Sequence, residues 1–123
     1  MTTLGDNVFD SGLDYVDANA SHVYICSQEP ATYAEAITTY ALGNKSGLTI
    51  SAPADRAGGG REITISAITA GTVTATGTAS HFAVVYATGS ELLATKALAA
   101  PQVVTSGNTW TLTAFTIGIP DPA

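Results

Sequence analysis

The sequence contains few charged side chains and a single cysteine, and both scarcities exclude whole classes of protein. Only 11% of its 123 residues are Asp, Glu, Lys or Arg, against about 25% in an ordinary soluble domain. One cysteine, Cys26, cannot form an intrachain disulfide and cannot build a zinc module that needs several thiolates. The chain must therefore be stabilised by a packed core, which a domain of this length can form without metals or disulfides.

Basic side chains are scarcer than acidic ones: the chain has 4 Lys and Arg against 10 Asp and Glu, a formal net charge of -6. A negative protein repels nucleic-acid phosphates and anionic lipid headgroups, so we expect neither a nucleic-acid partner nor a membrane partner. The longest strongly apolar run, residues 82–87, is far shorter than the ~20 residues of a membrane-spanning helix. The first ten residues lack the basic and apolar regions of a secretory signal, which predicts a soluble chain without a leader.

The net charge lies in the first 35 residues, which hold six acidic groups and no basic one, whereas residues 36–123 hold four of each. Hydrophobic side chains alternate with these acids at Leu4, Val8, Phe9, Leu13 and Val16. One interpretation is that residues 1–16 form an arm that docks on a neighbour, leaving residues 17–123 as a single β domain. Leu4, Val8, Phe9 and Leu13 are then candidate partner contacts. The other interpretation is that residues 1–16 form the first amphipathic element of the core.

Most of the remaining chain has the patterns of β-strands separated by turns. Residues 62–68 alternate apolar and hydroxyl side chains, and Thr or Ser occupies every even position in residues 72–80, as in half-buried strands. Gly71, between these runs, predicts a turn. Several short strands with regularly spaced turns predict a mainly β fold, a single-domain sandwich or barrel.

The apolar positions change phase twice, which predicts two bends in the sheet. Large groups move to even positions after His81 and back to odd positions between Ala114 and Phe115. A β-bulge, or burial of both strand faces, would absorb the first change. Turn residues predict hairpin turns at 87–91 and 106–108, and Pro30 followed by helix formers predicts one short helix over residues 29–36.

No motif of a catalytic or nucleotide-binding site occurs in the sequence. Cys26 with His22 or His81 would form a nucleophile and base only if folding brought them together, and its apolar neighbours favour a buried thiol. Three oxygen ligands lie close together but without EF-hand spacing: Asp14, Asp17 and Asn19. We therefore expect no enzymatic activity, no cofactor and no metal.

Two arginines flank the only run of three glycines, residues 58–60. The pattern predicts a hairpin tip at which Arg56 and Arg61 bind carboxylates of a partner. A phosphate cradle is the alternative, with little support in an acidic chain.

Several segments resemble small virion structural proteins of tailed bacteriophages. In the first half they are residues 25–36 (ICSQEPATYAEA) and 40–45 (YALGNK), and in the second half 77–86 (GTASHFAVVY), 91–95 (ELLAT) and 104–112 (VTSGNTWTL). The resemblance implies a non-enzymatic decoration, or cement, protein on the capsid surface. It implies binding between subunits of the major capsid protein, assembly as a homotrimer, and no catalytic residue.

Two other functions remain open at this point. A surface module of the head or tail that binds a host receptor or glycan would present exposed aromatic side chains, for which the candidates are Tyr33, Tyr40, Tyr86 and Trp110. A hydrolase would have to use Cys26 or the pair of Asp14 and Asp17, and the absence of a catalytic motif counts against it.

Overall fold

The computed structural model describes residues 6–119, with side chains from residue 11 onwards. In chain order its elements are α1 (Asp6–Asn19), β1 (His22–Cys26), the π-helical segment α2 (Glu35–Thr39), β2 (Ala41–Ser46), β3 (Ala54–Asp55), β4 (Arg61–Ile65), β5 (Ile68–Val73), β6 (Gly77–Tyr86), β7 (Glu91–Val104), β8 (Thr109–Leu112) and β9 (Phe115–Ile119). The predicted mainly β fold is confirmed. Neither helix in this part of the chain is long and apolar enough to cross a membrane.

Six strands form one curled antiparallel sheet in the order β7-β6-β1-β2-β5-β8, and three form a second sheet in the order β3-β4-β9. Because side chains alternate between the faces of a strand, Val23 and Ile25 of β1 both point into the main core. Ile65 and Phe115 of the second sheet enter the same core. The two sheets therefore share one interior.

The chain changes sheet at residues 113–114, which confirms the bend predicted between Ala114 and Phe115. β8 pairs with β5 in the first sheet, whereas β9 pairs with β4 in the second. Strands that switch sheets in this way make the corners of curved β structures. The ring of Phe115 packs on Phe82 of β6, with centroids 4.4 Å apart and planes inclined at 52°, so an aromatic contact joins the sheets at the corner.

The other predicted irregularity lies where β6 pairs with β7. The register shifts between Ala79 and His81, as expected near His81, but the extra residues of the bulge belong to β7. Beyond the bulge both faces of β6 are buried: Phe82 and Val84 lie in the main core, while Ala83 and Val85 lie in a smaller core that α2 covers. The phase change therefore marks the point where the strand gains a second covered face.

A helical segment follows Pro30, but it spans Glu35–Thr39 and not the predicted residues 29–36. Thr32 Oγ1 accepts a hydrogen bond from the Glu35 N–H at 3.2 Å, and Glu35 Oε1 accepts one from the Ala31 N–H at 2.7 Å. The first bond is one half of a capping box, whereas the second goes to the residue before Thr32. The two bonds fix the start of the segment that covers the outer face of β1 and β6.

Gly71 does not mark a turn, contrary to the prediction. It lies inside β5, where the indole of Trp110 from the neighbouring β8 packs against its Cα. A Cβ at this position would stand 2.1 Å from Trp110 Cε2, so glycine is needed for a close approach. The break comes at residues 74–76, and the strand predicted over residues 72–80 is divided between β5 and β6.

The turn predicted at residues 87–91 joins the paired strands β6 and β7 and is confirmed. The turn at 106–108 is also present, but it is not a hairpin turn, because it joins β7 to β8 at opposite ends of the sheet order. It is bound to the end of β5: the Val73 N–H donates to Asn108 O, and the Gly107 N–H donates to Val73 O, both at 3.0 Å. The curl of the sheet brings these strand ends together.

α1 lies against the second sheet, where it contacts β4 and β9. Leu13 is only 1% exposed, and Gly12 lies beside Ile119. The helix continues past residue 16 to Asn19. Through Leu13 and Gly12, the described part of this helix packs on the second sheet.

Candidate functional site

The edge strand β7 borders an open surface groove. β7 ends the six-strand sheet and pairs only with β6 in this part of the chain, while β8 ends the same sheet on the other side. Between β7 and the β8–β9 corner lies an open groove, which we call the edge groove. It is lined by residues 94–100 and Gln102 of β7, by residues 111–117, and by Phe82 and Val84 of β6.

The edge groove is continuous along β7. It has three compartments, of about 200, 360 and 210 Å³, in order from Ala94 to Gln102. The first two share Phe82 and Phe115 in their lining, and the last two share Leu98. A long, open groove suits an extended chain better than a compact small molecule, whose sites enclose most of the ligand.

β7 is irregular at one end of the edge groove and regular at the other. Ala79 and His81 of β6 pair with Gln102 and Ala97 of β7, so residues 98–101 bulge opposite a single residue. Pro101 lies in this bulge, and proline is tolerated there because an edge strand does not need its N–H for pairing. Residues 94–97 keep a regular register with β6, so the backbone is ordered for further pairing at this end.

Of the side chains that the structure describes, Lys96 is the only charged one that lines the edge groove. It is exposed and borders the two compartments that contain Phe82 and Phe115. Within residues 11–119 it forms no ion pair. A protein of net charge -6 thus places a cation with no described acidic partner beside Phe82 and Phe115 in this groove.

Of the four partner contacts predicted in the first 16 residues, the structure describes the side chain of Leu13 alone. Leu13 is buried inside the molecule, which leaves no side-chain surface for a partner while the helix stays docked. Leu4 lies outside the described residues, as do the side chains of Val8 and Phe9. Tyr15, on the exposed side of α1, donates a hydrogen bond to Glu91 Oε1 at the start of β7, so α1 is connected to the edge strand.

Arg56 and Arg61 lie at the tip of the β3–β4 hairpin, where they bind their own chain. Arg61 Nη1 donates to Asp55 Oδ1 at 2.7 Å, and Nη2 donates to Pro53 O at 3.3 Å. Arg56 Nη1 donates to Gly59 O at 3.2 Å. The glycines at 58–60 all have φ between 88° and 104°, a conformation that other residues rarely adopt. A partner carboxylate would have to compete with these contacts.

The thiol of Cys26 is placed for packing. It lies in the smaller core with no exposed surface, and Sγ donates to Ala36 O at 3.6 Å. Burial raises the pKa of Cys26 to about 11, whereas a nucleophilic cysteine needs a lowered pKa. The strand register places His81 opposite Cys26, but its Nδ1 lies 2.9 Å from Ser80 Oγ.

Asp14, Asp17 and Asn19 lie on α1, and Asn19 Nδ2 donates to Tyr15 O at 2.8 Å. Among the described residues no group of three or more His, Cys, Asp or Glu side chains is arranged to hold a metal ion.

The aromatic candidates for ligand binding serve in packing. Trp110 is 2% exposed, and its Nε1 donates to Thr72 O at 3.2 Å. Tyr33 and Tyr40 pack against the smaller core. Tyr86 is half-buried beside Gly89 of the β6–β7 turn. These positions do not assemble an exposed aromatic platform.

Comparison with protein-family models, with curated proteins and with solved structures found no match to this chain. The geometry of the edge groove is therefore the basis for a functional proposal.

Sequence reasoning missed the edge groove, including Lys96, Leu98 and Phe115. One signal pointed to it. Pro101 interrupts a run that otherwise forms a long strand, and proline within a strand marks an edge. Which strands stand opposite that edge depends on the order of strands in the sheet, which no local pattern encodes.

Proposed function

We propose that this chain is a decoration, or cement, protein of a tailed-phage head, which binds between subunits of the major capsid protein on the capsid surface. The observation that carries the proposal is the edge groove beside the 14-residue edge strand β7. Such an edge offers backbone hydrogen-bonding groups to a segment of another chain, and an adjacent apolar groove accepts its side chains.

Interface burial would be the mechanism of such a protein. Each fully buried Leu, Ile or Phe side chain contributes roughly 1.5–3 kcal/mol, so a few contacts along the edge groove give a modest affinity per copy. Many copies on one lattice, each bridging neighbouring subunits, multiply that affinity through effective concentration.

A closed homo-oligomer, a trimer, is part of the proposal because capsid shells present three-fold positions and cyclic symmetry is the common solution for soluble oligomers. The acidic groups of residues 1–35 would then act mainly in partner choice, since complementary charge governs specificity and association rate more than affinity.

The test is the position of the protein on intact phage particles. Cryo-electron microscopy of virions should show this fold on the outer surface of the head, at contacts between capsid subunits. In parallel, the purified protein should co-sediment with shells that lack it and should have the mass of a trimer. A protein that ignores shells but binds host cells or their polysaccharides would replace this proposal with a receptor-binding module.

A further inference from the structure

We propose that the edge groove binds an extended segment of the partner protein as an additional strand on β7, with a carboxylate of that segment paired to Lys96. The inference deepens the proposed function, on which it rests for the identity of the partner as the capsid protein. It names the surface, the conformation of the bound segment and one chemical requirement on its sequence.

The backbone supplies the first argument. Residues 94–97 of β7 are held in register by His81–Val84 on one side, and no described strand pairs with them on the other side. An edge strand therefore presents a row of N–H and C=O groups that an incoming strand can satisfy. The ordered pairing with β6 means that this template exists before the partner arrives, which lowers the entropy lost on binding.

The floor of the groove supplies the second argument. Phe82, Phe115 and Leu98 line the compartments that run beside the regular part of β7. A strand added at this edge points alternate side chains to one face, so every second residue of the segment would enter the groove. Apolar or β-branched side chains at those positions would complete the main core where the curled sheet is open.

The charge of Lys96 is the third argument, and it favours an acidic partner segment over a second copy of this chain as the occupant of the edge groove. Lys96 lines the groove without an acidic partner among the described side chains, so a bound segment with a carboxylate beside it gains an ion pair. A second copy of this chain does not meet that requirement edge to edge. The only acid on β7 is Glu91, and it already accepts the hydrogen bond from Tyr15.

The first arm of the test needs no shell. A library of random peptides, carried on an inert monomeric protein, is selected on the immobilised wild-type chain and on the Lys96→Glu variant. We expect the wild type to enrich peptides with alternating β-branched residues and one Asp or Glu. The variant should enrich Lys or Arg at the same position, and a selected acidic peptide should bind it about tenfold more weakly. Failure to enrich any pattern, or the same pattern on both proteins, overturns the inference.

Lys45→Glu is the matched control, because it makes the same charge change on β2, outside the edge groove. It should bind the selected peptide within about twofold of wild type, while Lys96→Arg should retain the preference for acids. Circular dichroism confirms that each variant is folded. Equal losses in Lys96→Glu and Lys45→Glu would show a general charge effect and would overturn the pairing with Lys96.

The second arm uses hydrogen exchange and shells. Strand addition should slow the exchange of β7 amides at residues 94–97 in the peptide complex. Unchanged exchange rates would indicate side-chain docking alone and would overturn the proposal of an added strand.

If the wild type binds shells and Lys96→Glu binds them equally well, the proposed function stands and the inference fails. If the wild type binds acidic peptides but not shells, the groove is assigned correctly and the capsid proposal fails. If the wild-type chain forms dimers and the Lys96→Glu substitution abolishes them, the occupant of the groove is a second copy of this chain and the inference is overturned.

Discussion

The indole of Trp110 lies so close to Gly71 that there is no room for a side chain between them. A methyl group at residue 71 would stand 2.1 Å from Cε2 and 2.3 Å from Nε1 of the indole. Trp110 is also held by its hydrogen bond to Thr72 O, so the ring cannot move aside without losing that bond. The contact fixes β8 against β5 at the end of the sheet that faces the edge groove.

Gly71→Ala should therefore lower the free energy of unfolding by about 3 kcal/mol or more, at the upper end of overpacking effects. Denaturant unfolding followed by the fluorescence of the single tryptophan measures it. The matched control is Gly12→Ala in α1, where the added methyl would lie 3.4 Å from Ile119 Cδ1. It should raise stability by up to about 1 kcal/mol through helix propensity. Equal stability of Gly71→Ala and wild type would contradict the packing described.

Phe82 and Phe115 should be energetically coupled, because their rings form the contact between the two sheets. In a double-mutant cycle with Phe82→Leu and Phe115→Leu, we expect a coupling of about 0.5–1.5 kcal/mol. A second cycle that combines Phe82→Leu with Ile63→Val serves as the control. Ile63 is buried but belongs to neither core cluster, so its coupling should be close to zero. Additive effects in the first cycle would show that the sheets are joined by other contacts.

Cys26 should make the protein less stable at high pH. Its pKa is raised by burial from 9.0 to about 11, so the unfolded chain loses the proton first as the pH rises. The free energy of unfolding is unaffected by this group below about pH 9 and falls between pH 9 and 11, by roughly 2–3 kcal/mol in all. Cys26→Ala should lack this component, so the difference between variant and wild type across that range isolates it from tyrosine ionisation. A thiol reagent that modifies the native protein rapidly at neutral pH would contradict the burial.

Tyr15 should ionise more easily when Glu91 is neutralised. The hydrogen bond to the Glu91 carboxylate, with a smaller contribution from desolvation, raises the pKa of Tyr15 above its ordinary value. Glu91→Gln should lower that pKa toward the ordinary value, as followed by NMR of the tyrosine ring, with Tyr15→Phe to assign the signal. Glu29→Gln is the control, since Glu29 Oε1 accepts from Thr95 Oγ1 and should leave Tyr15 unchanged.

The periodicity of the sequence was enough to locate both bends of the sheet. At His81 and at Ala114–Phe115 the change of phase shows directly in the side chains, because a strand with one buried face must keep its apolar residues at alternate positions. The prediction of a turn at Gly71 was wrong, because glycine is needed there to make room for the indole of Trp110, a residue far away in the sequence. Local rules treat glycine as a turn former and contain no information on a ring from another strand.

The edge groove was beyond local prediction for a related reason. Its two walls are residues 94–102 and 111–117, which lie close together in the chain. The first wall is one edge of the six-strand sheet, whereas the second combines β8, the opposite edge of that sheet, with β9 of the other sheet. For the arginines at the β3–β4 tip, the sequence identified the residues but not their binding partners. Arg56 and Arg61 are identifiable from sequence as cations near glycines, but the carbonyl and carboxylate groups that they bind depend on the folded hairpin.

The turn at residues 106–108 makes the two ends of the edge groove different. This turn links β7 covalently to β8 and is hydrogen-bonded to Val73. The two walls are therefore connected through the backbone near Gln102, and within residues 6–119 no such connection joins them near Ala94. A bound segment thus meets a covalent turn at the Gln102 end of the groove, whereas at the Ala94 end the two walls meet only through side chains such as Phe82 and Phe115.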